Sequence, residues 1–386
     1  MWFNGFVSNE NTILPPGEFV RQELESRGWT QADLAKIIER PLPTVNEIIQ
    51  GKRGIMPEMA VALAAAFGTT PDLWMQRESS YRLSLVSRCD PEMQRRARLF
   101  EIAPVKDMEK RGWIKPTRTV NELEGELRSF FNVPTFDENL TTEAMARQSA
   151  SAEELTAPQR SWIGQAARLA SILNARKFNP DTFKTAGLKQ IRALAESPEK
   201  TSHVPKVLAE LGIRFLVIEP LPKSRIDGAA FWLDENSPVI VLSLRYDRID
   251  WFWFTLAHEL QHIKHGDKRS IDTNLVGETR VAALNDMEDR ANKEGAAFLL
   301  PPENLESFII RSKPFYYKQM IIQFAKRVGV HPGIVNGQLQ HLHEIGWEYN
   351  REMLVKVRDF VTATALTDGW GKLTGQFLTT KNTRSN

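Results

Sequence analysis

The chain has 386 residues, 42% of them hydrophobic and 25% charged, with 50 Lys/Arg against 48 Asp/Glu and a net charge of +2. That length suits two to three domains with cores of their own, and a near-balanced charge says little about partners. The single cysteine, Cys89, excludes an intramolecular disulfide framework, fits a reducing cytosol and reads as an ordinary thiol. The opening Met1-Trp-Phe-Asn-Gly-Phe6 lacks the basic and apolar regions of a secretory signal, and no run of about twenty apolar residues would span a bilayer. A cytoplasmic protein without membrane contact is the expectation.

In chain order, the first informative block is Gly28-Trp-Thr30-Gln31-Ala-Asp33-Leu34-Ala35-Lys-Ile-Ile38. Thr30 suits an N-cap and Asp33 stands at N3, an acidic form of the capping box. Pro41 disfavours continuation of that helix, and a second helix is predicted from Pro43 to Gln50, ended by Gly51. Leu34, Ile37, Val45 and Ile48 are expected to point inward, and Thr44, Asn46, Glu47 and Gln50 outward. Two short helices so joined form a helix-turn-helix, whose second helix enters the major groove of DNA.

This block, from about Pro16 to Tyr81, resembles the Cro/C1-type (Xre) helix-turn-helix family, most closely the HigA-type antitoxins. The resemblance rests on Thr30-Gln31, Leu34-Ala35, Thr44 through Ile49, Gly51-Lys52-Arg53, Pro57 through Ala60, and Phe67-Gly68 through Trp74. It implies that Gln31 contacts phosphate, that Thr44, Asn46 and Gln50 approach base edges, and that Lys52 and Arg53 hold the backbone. The glycine common in the turn of this family is Glu39 here. Residues 1–80 carry seven Lys/Arg and ten Asp/Glu, a net −3 that opposes DNA binding. A local cluster of Lys36, Arg40, Lys52 and Arg53 offsets it, more so in a homodimer; use of the block for dimerisation or protein docking is the alternative.

A helical middle follows. Residues 82–118 hold ten Lys/Arg and five Asp/Glu, including Arg95-Arg96-Ala-Arg98, and read as a solvated face or a phosphate-lining stretch. Residues 133–160 read as a flexible connection or an exposed helix pair. Ser161 to Ala195 is predicted helical, with Trp162, Ala166, Leu169 and Ile172 on one face. Three strands are predicted next, at Gly212–Glu219, Ala229–Leu233 and Pro238–Ser243, the last two joined by the turn-like Asp234-Glu-Asn-Ser237.

The strongest chemical signal is His258-Glu259-Leu-Gln-His262. On a helix, positions i and i+4 share a face, so both imidazoles point at one divalent cation. Glu259 is then placed as general base for hydrolysis of a peptide bond. The preceding Trp251-Phe-Trp-Phe254 run marks a buried helix, for which Asp247 or Asp250 suits the N-cap. A third ligand is sought on a second helix. Glu288 has Asn292 at i+4, fit to hold the free ring N–H of a histidine, while Asp286, Asp289 and Glu294 compete for the ligand role. His265 extends the histidine face and reads as a residue at the mouth of the site. Segments 315–328, 331–346 and 348–365 are predicted helical, with His331, His341 and His343 on the surface.

From about Val204 to Pro301 the chain resembles the ImmA/IrrE family of gluzincin-like metallopeptidases. Their second motif appears here as Glu288-Asp-Arg290-Ala291-Asn292-Lys-Glu294-Gly-Ala296-Ala-Phe298-Leu-Leu-Pro301. Arg290 replaces a common glutamate, and Glu294 a common aromatic. The resemblance implies that His258, His262 and Glu288 bind one Zn²⁺ per chain and that Glu259 is the catalytic base.

The expected fold class is mainly α with a small α+β domain. It comprises a five-helix Cro/C1-type helix-turn-helix (1–81), a helical linker region (82–200), a metallopeptidase core with a small sheet (201–310) and a helical extension (311–386). The expected function is a dimeric regulator of operator DNA, antitoxin-like and autoregulatory, whose zinc endopeptidase cleaves a protein such as a repressor or antitoxin. The alternative is a non-enzymatic HigA-like antitoxin whose metal domain binds a toxin partner or senses a signal.

Overall fold

A computed structural model describes residues 13–86, 90–136, 155–267, 269–273 and 282–371. Cys89 and most of the predicted 133–160 connection lie outside the described residues. The chain divides into two compact units, Met1–Arg95 and Arg96–Asn386.

The first unit holds five helices: α1 (Pro16–Arg27), α2 (Gln31–Ile37), α3 (Leu42–Ile49), α4 (Pro57–Phe67) and α5 (Pro71–Leu85). Its helix boundaries follow local chemistry. Thr30 accepts from the Asp33 backbone N–H while the Asp33 carboxylate accepts from the Thr30 backbone N–H, closing the capping box at the start of α2. Prolines open α1, α3, α4 and α5, where their missing N–H costs nothing. The core gathers Leu34, Val45, Ile48, Leu63 and Trp74, each 3% exposed or less. Ile37, expected to point inward, is instead 46% exposed; Leu34 and Ala35 of α2 and the C-cap residue Ile38 face the core in its place. Helical geometry puts i, i+1 and i+4 on one face as readily as i and i+3, so spacing alone did not choose between them. Gly17 lets α1 lie against α3, since a Cβ there would sit 2.2 Å from the Ile48 carbonyl oxygen.

The second unit is built on a five-stranded sheet of order β4-β2-β3-β1-β5. Its strands are β1 (Arg214–Val217), β2 (Ile226–Trp232), β3 (Pro238–Leu242), β4 (Arg269–Thr273) and β5 (Leu366–Thr367). β1 runs parallel to β3 and β5, whereas β2 runs antiparallel to β3 and β4. The period-2 alternation of side chains gives the sheet two buried faces. Leu216, Ile218, Phe231, Val239 and Val241 join one core with Leu99, Leu127, Phe130, Trp162 and Ala166. Those partners come from α6 (Pro91–Ile102), α8 (Val120–Phe131) and α9 (Ala157–Ser171), with α7 (Val105–Lys110) between the first two. Within the 82–200 stretch, expected as a linker region, residues from Leu99 to Ala170 cover this face of the sheet, while Phe178, Phe183, Ile191 and Ala195 join the core on the other.

The opposite face carries Phe215, Val217, Ala230, Ile240 and Leu242, which pack with α10 (Val204–Glu210) and α11 (Ile249–His265). Around α11 lie α12 (Ala282–Leu299), α13 (Pro302–Ser312), α14 (Lys318–Val328), α15 (Pro332–His341) and α16 (Arg358–Thr362). Full burial of Trp253, Leu256 and Leu260 on α11 contributes roughly 1.5–3 kcal/mol per side chain.

Several boundaries differ from expectation. α9 ends at Ser171 rather than running to Ala195, and Ile172 is 63% exposed. Short α, π and 3₁₀ turns replace the helix between Pro180 and Glu196. The predicted 348–365 helix reduces to a 3₁₀ turn at Arg351–Met353 and to α16, after Asn350 adopts the left-handed conformation (φ 52°). Neither Asp247 nor Asp250 caps α11, whose N-cap position is Arg248. Asp250 pairs with Arg248, and Asp247 accepts from the backbone N–H groups of Val357 and Arg358 at the head of α16.

Candidate metal centre

α11 is buried along most of its length, and its last turns change abruptly from Trp and Phe to His, Glu and His. His258 is 4% exposed, while Glu259 and His262 are fully buried. Such groups need partners. His258 Nδ1 lies 2.9 Å from Asn292 Oδ1, and His262 Nδ1 lies 2.8 Å from Asp267 Oδ2. Each Nδ1 meets an acceptor and therefore carries its ring proton, which leaves a lone pair on each Nε2. Those two Nε2 atoms face each other at 3.0 Å, with the Glu288 carboxylate 3.3 Å from one and 3.8 Å from the other. Burial, and then the neighbouring His258, hold the His262 pKa below its usual value and favour the neutral ring.

Three electron-pair donors thus converge, all within 4.8 Å of one another. Two imidazoles and one carboxylate form a borderline-hard donor set that fits a divalent transition ion, and three protein ligands leave a coordination position open.

Helix crossing creates this convergence. α12 packs on α11 through Ala291, which is 1% exposed, and Gly295, where a Cβ would approach His258 N to 3.1 Å. With Glu288 and Asn292 at i−3 and i+1 from Ala291, the small residues bring both polar side chains onto the histidines. Asp286 and Asp289 are exposed, and Glu294 binds Lys264 Nζ at 2.6 Å and His265 Nε2 at 2.9 Å. His265 therefore faces Glu294 rather than joining the cluster. A second proton holder also comes from local geometry. Gly266 ends α11 in the left-handed conformation (φ 73°), and Asp267 N then donates to the His262 carbonyl at 3.0 Å. That turn carries the Asp267 carboxylate back over the His262 ring, and Arg290 Nη2 grips it at 2.8 and 3.0 Å.

Glu259 sits under β2. A Cβ at Gly228 would lie 2.7 Å from Glu259 Oε1, so the glycine leaves the room that the carboxylate occupies. Asp267, Arg290 in this role, Gly228 and Arg192 were not singled out from sequence. Arg192 donates to the carbonyls of Phe298, Leu299 and Val328 at 2.8–2.9 Å and anchors the C-terminal end of α12. The aspartate after the helix-ending Gly266 was the only local signal for any of the four.

In the first unit, Arg40, Gln50, Lys52 and Arg53 are exposed, and Gln31, Thr44 and Asn46 are half-buried. Arg53 pairs with Glu47 at 3.1 Å, placing a carboxylate beside the expected phosphate contact. Asn46 Oδ1 is buried without a hydrogen-bond partner. His331 is half-buried rather than a surface group, and its Nδ1 accepts from Gly333 N at the head of α15. No helix among the described residues is long and apolar enough to cross a membrane.

Comparison with known proteins agrees with this division. A helix-turn-helix family model matches residues 20–74, and the model of the IrrE N-terminal-like domain (peptidase M78) matches residues 209–339, which contain the whole metal cluster. Virulence-associated protein I of Dichelobacter nodosus is 31% identical over 81 residues, 21% of this chain and 75% of that protein. The uncharacterized HTH-type transcriptional regulator YddM of Escherichia coli is 25% identical over 69 residues, 18% of this chain and 73% of that protein. The Pseudomonas aeruginosa antitoxin HigA, solved with the higBA promoter, is 36% identical, covering 19% of this chain and 80% of its own, with a TM-score of 0.19. The chain belongs to the Xre-like helix-turn-helix family through its N-terminal unit and carries an IrrE-like peptidase domain in its C-terminal unit.

Proposed function

We propose that the protein is a DNA-binding, antitoxin-like regulator whose second unit is a zinc-dependent endopeptidase acting on a protein partner. The observation that carries the peptidase reading is the convergence of His258 Nε2, His262 Nε2 and Glu288 beside a buried Glu259. A bound divalent cation would supply the charge that polarises a peptide carbonyl and acidifies water. Asn292 and Asp267 hold the two ring protons, so both Nε2 lone pairs stay turned inward. Glu259 takes the proton of the attacking water and delivers it to the leaving amine.

The DNA reading is supported by the closed capping box of α2, the exposed Gln50, Lys52 and Arg53 at the end of α3, and the helix-turn-helix match. The relative HigA was solved with its promoter. A homodimer places two such helices on successive half-sites and doubles the local basic cluster.

Metal analysis of the purified wild type and of Glu288→Ala tests the centre. One zinc per chain in the wild type, lost in the variant, supports the ligand set; no zinc after metal-replete purification overturns it. Glu259→Gln should keep the metal and lose cleavage of a candidate antitoxin or repressor. Metal binding without any cleavage by the wild type leaves a partner-binding or sensing antitoxin. For DNA, Arg53→Ala should weaken promoter binding and flatten its salt dependence; unchanged binding removes Arg53 from the interface.

A further inference from the structure

β5 is two residues long and pairs only with Leu216 and Val217, so the first half of β1 has no strand beside it on that side. Arg214 and Phe215 of that first half, with Thr364 and Leu366 opposite, line a cleft of about 310 Å³. Lys206 and Ala209 of α10 form one wall, and Leu173, Asn174 and Thr364 form the others. The volume is at the small end of the range for small-molecule sites.

Its chemistry is one-sided. Arg214, Lys206 and His203 line it and no carboxylate does. None of the three forms an ion pair among the described residues, and Asp234, on which Arg214 exerts a longer-range charge, lies outside the cleft. Two strongly basic side chains, Arg214 and Lys206, thus line the cleft with no carboxylate to balance them, and an anion bound there would pair with both. Leu173, Phe215 and Leu366 supply apolar surface alongside.

We propose that this cleft binds a small molecule with an oxyanion, carboxylate or phosphate ester, on a compact apolar body. Arg214 and Lys206 take the anion, and Leu173, Phe215 and Leu366 take the body. The site is separate from the metal cluster, with which it shares no residue, and its existence does not depend on the peptidase reading.

The test is calorimetric titration of the full chain with octanoate, phenyl phosphate, inorganic phosphate and octanol. Saturable binding of octanoate or phenyl phosphate is expected, with inorganic phosphate and octanol each much weaker. Which of the first two binds more tightly separates a carboxylate ligand from a phosphate one. Arg214→Gln and Lys206→Gln should each weaken it about tenfold, the loss expected for one charge-assisted hydrogen bond, while Lys326→Gln on α14 leaves it unchanged. Lys206 is exposed, so its substitution keeps the test decisive even if Arg214→Gln fails to fold. Absence of saturable binding, equal binding of inorganic phosphate or octanol, or full binding by Lys206→Gln would overturn the proposal.

Discussion

Removing the Asp267 carboxylate should loosen the metal centre without touching a ligand. Asp267 Oδ2 holds His262 Nδ1 at 2.8 Å, and its side chain is only 12% exposed, so water replaces it poorly. Loss of such a partner frees the ring to rotate and to place its proton on Nε2, where the lone pair is required. Substitutions of this kind cost roughly 10–100-fold in metal affinity, equivalent to about 1.4–2.7 kcal/mol. Asp267→Asn keeps an acceptor and should fall at the weak end, whereas Asp267→Ala should fall at the strong end. Arg290 acts through Asp267, so Arg290→Gln should cost less, and the double variant should bind no worse than Asp267→Ala alone. Zinc affinity is read by competition with a chromophoric chelator, and thermal unfolding of the metal-free proteins controls for damage to the fold. Wild-type affinity in Asp267→Ala would refute the reasoning. So would an affinity loss that merely tracks metal-free stability.

Other substitutions probe separate links. Gly228→Ala places a methyl 2.7 Å from Glu259 Oε1 and should abolish cleavage while zinc content stays near wild type; retained cleavage would show that Glu259 has room to move. Asp368 is fully buried 3.5 Å from Arg111, and burial raises its pKa from 3.8 to about 6. Because the folded pKa is the higher one, this group's stabilising contribution is present below the unfolded value and lost as pH rises through about 6, a swing of ~3 kcal/mol. Asp368→Asn should therefore raise the melting temperature at alkaline pH, with the gain vanishing in acid; a pH-independent effect would contradict this. Glu39 sits at φ 52°, a conformation that costs an ordinary residue about 1 kcal/mol, so Glu39→Gly should stabilise the first unit in denaturant unfolding. A drop in stability would mean that the Glu39 side chain contributes more than its backbone strain costs.

Local chemistry was readable wherever one or two turns of chain decide the outcome. The Thr30–Asp33 box, the glycine ends at Gly51 and Gly266, and the alternating strands around Phe215 and Ile240 all have short-range causes. Long-range docking was harder to read. α9 and the 180–196 turns both bury apolar residues against the sheet, Trp162 and Ala166 on one face and Phe183 and Ile191 on the other, yet only α9 is a regular helix. β4 reads Arg-Ser-Ile-Asp-Thr and has almost no strand signature; pairing with β2 makes it one.

The candidate centre divides in the same way. His258, Glu259 and His262 share one helix, so their i, i+1, i+4 spacing already fixed their relative geometry. Choosing Glu288 over Asp286, Asp289 and Glu294 required the crossing of two helices, set by Ala291 and Gly295. The same crossing carried Arg290 to Asp267 and Glu294 to His265, pairs 23 and 29 residues apart that no local periodicity encodes. A helix's own hydrogen bonds set which side chains share a face, and the sequence displays them. Which faces meet depends on the volume left between elements, and only the packed structure supplies that.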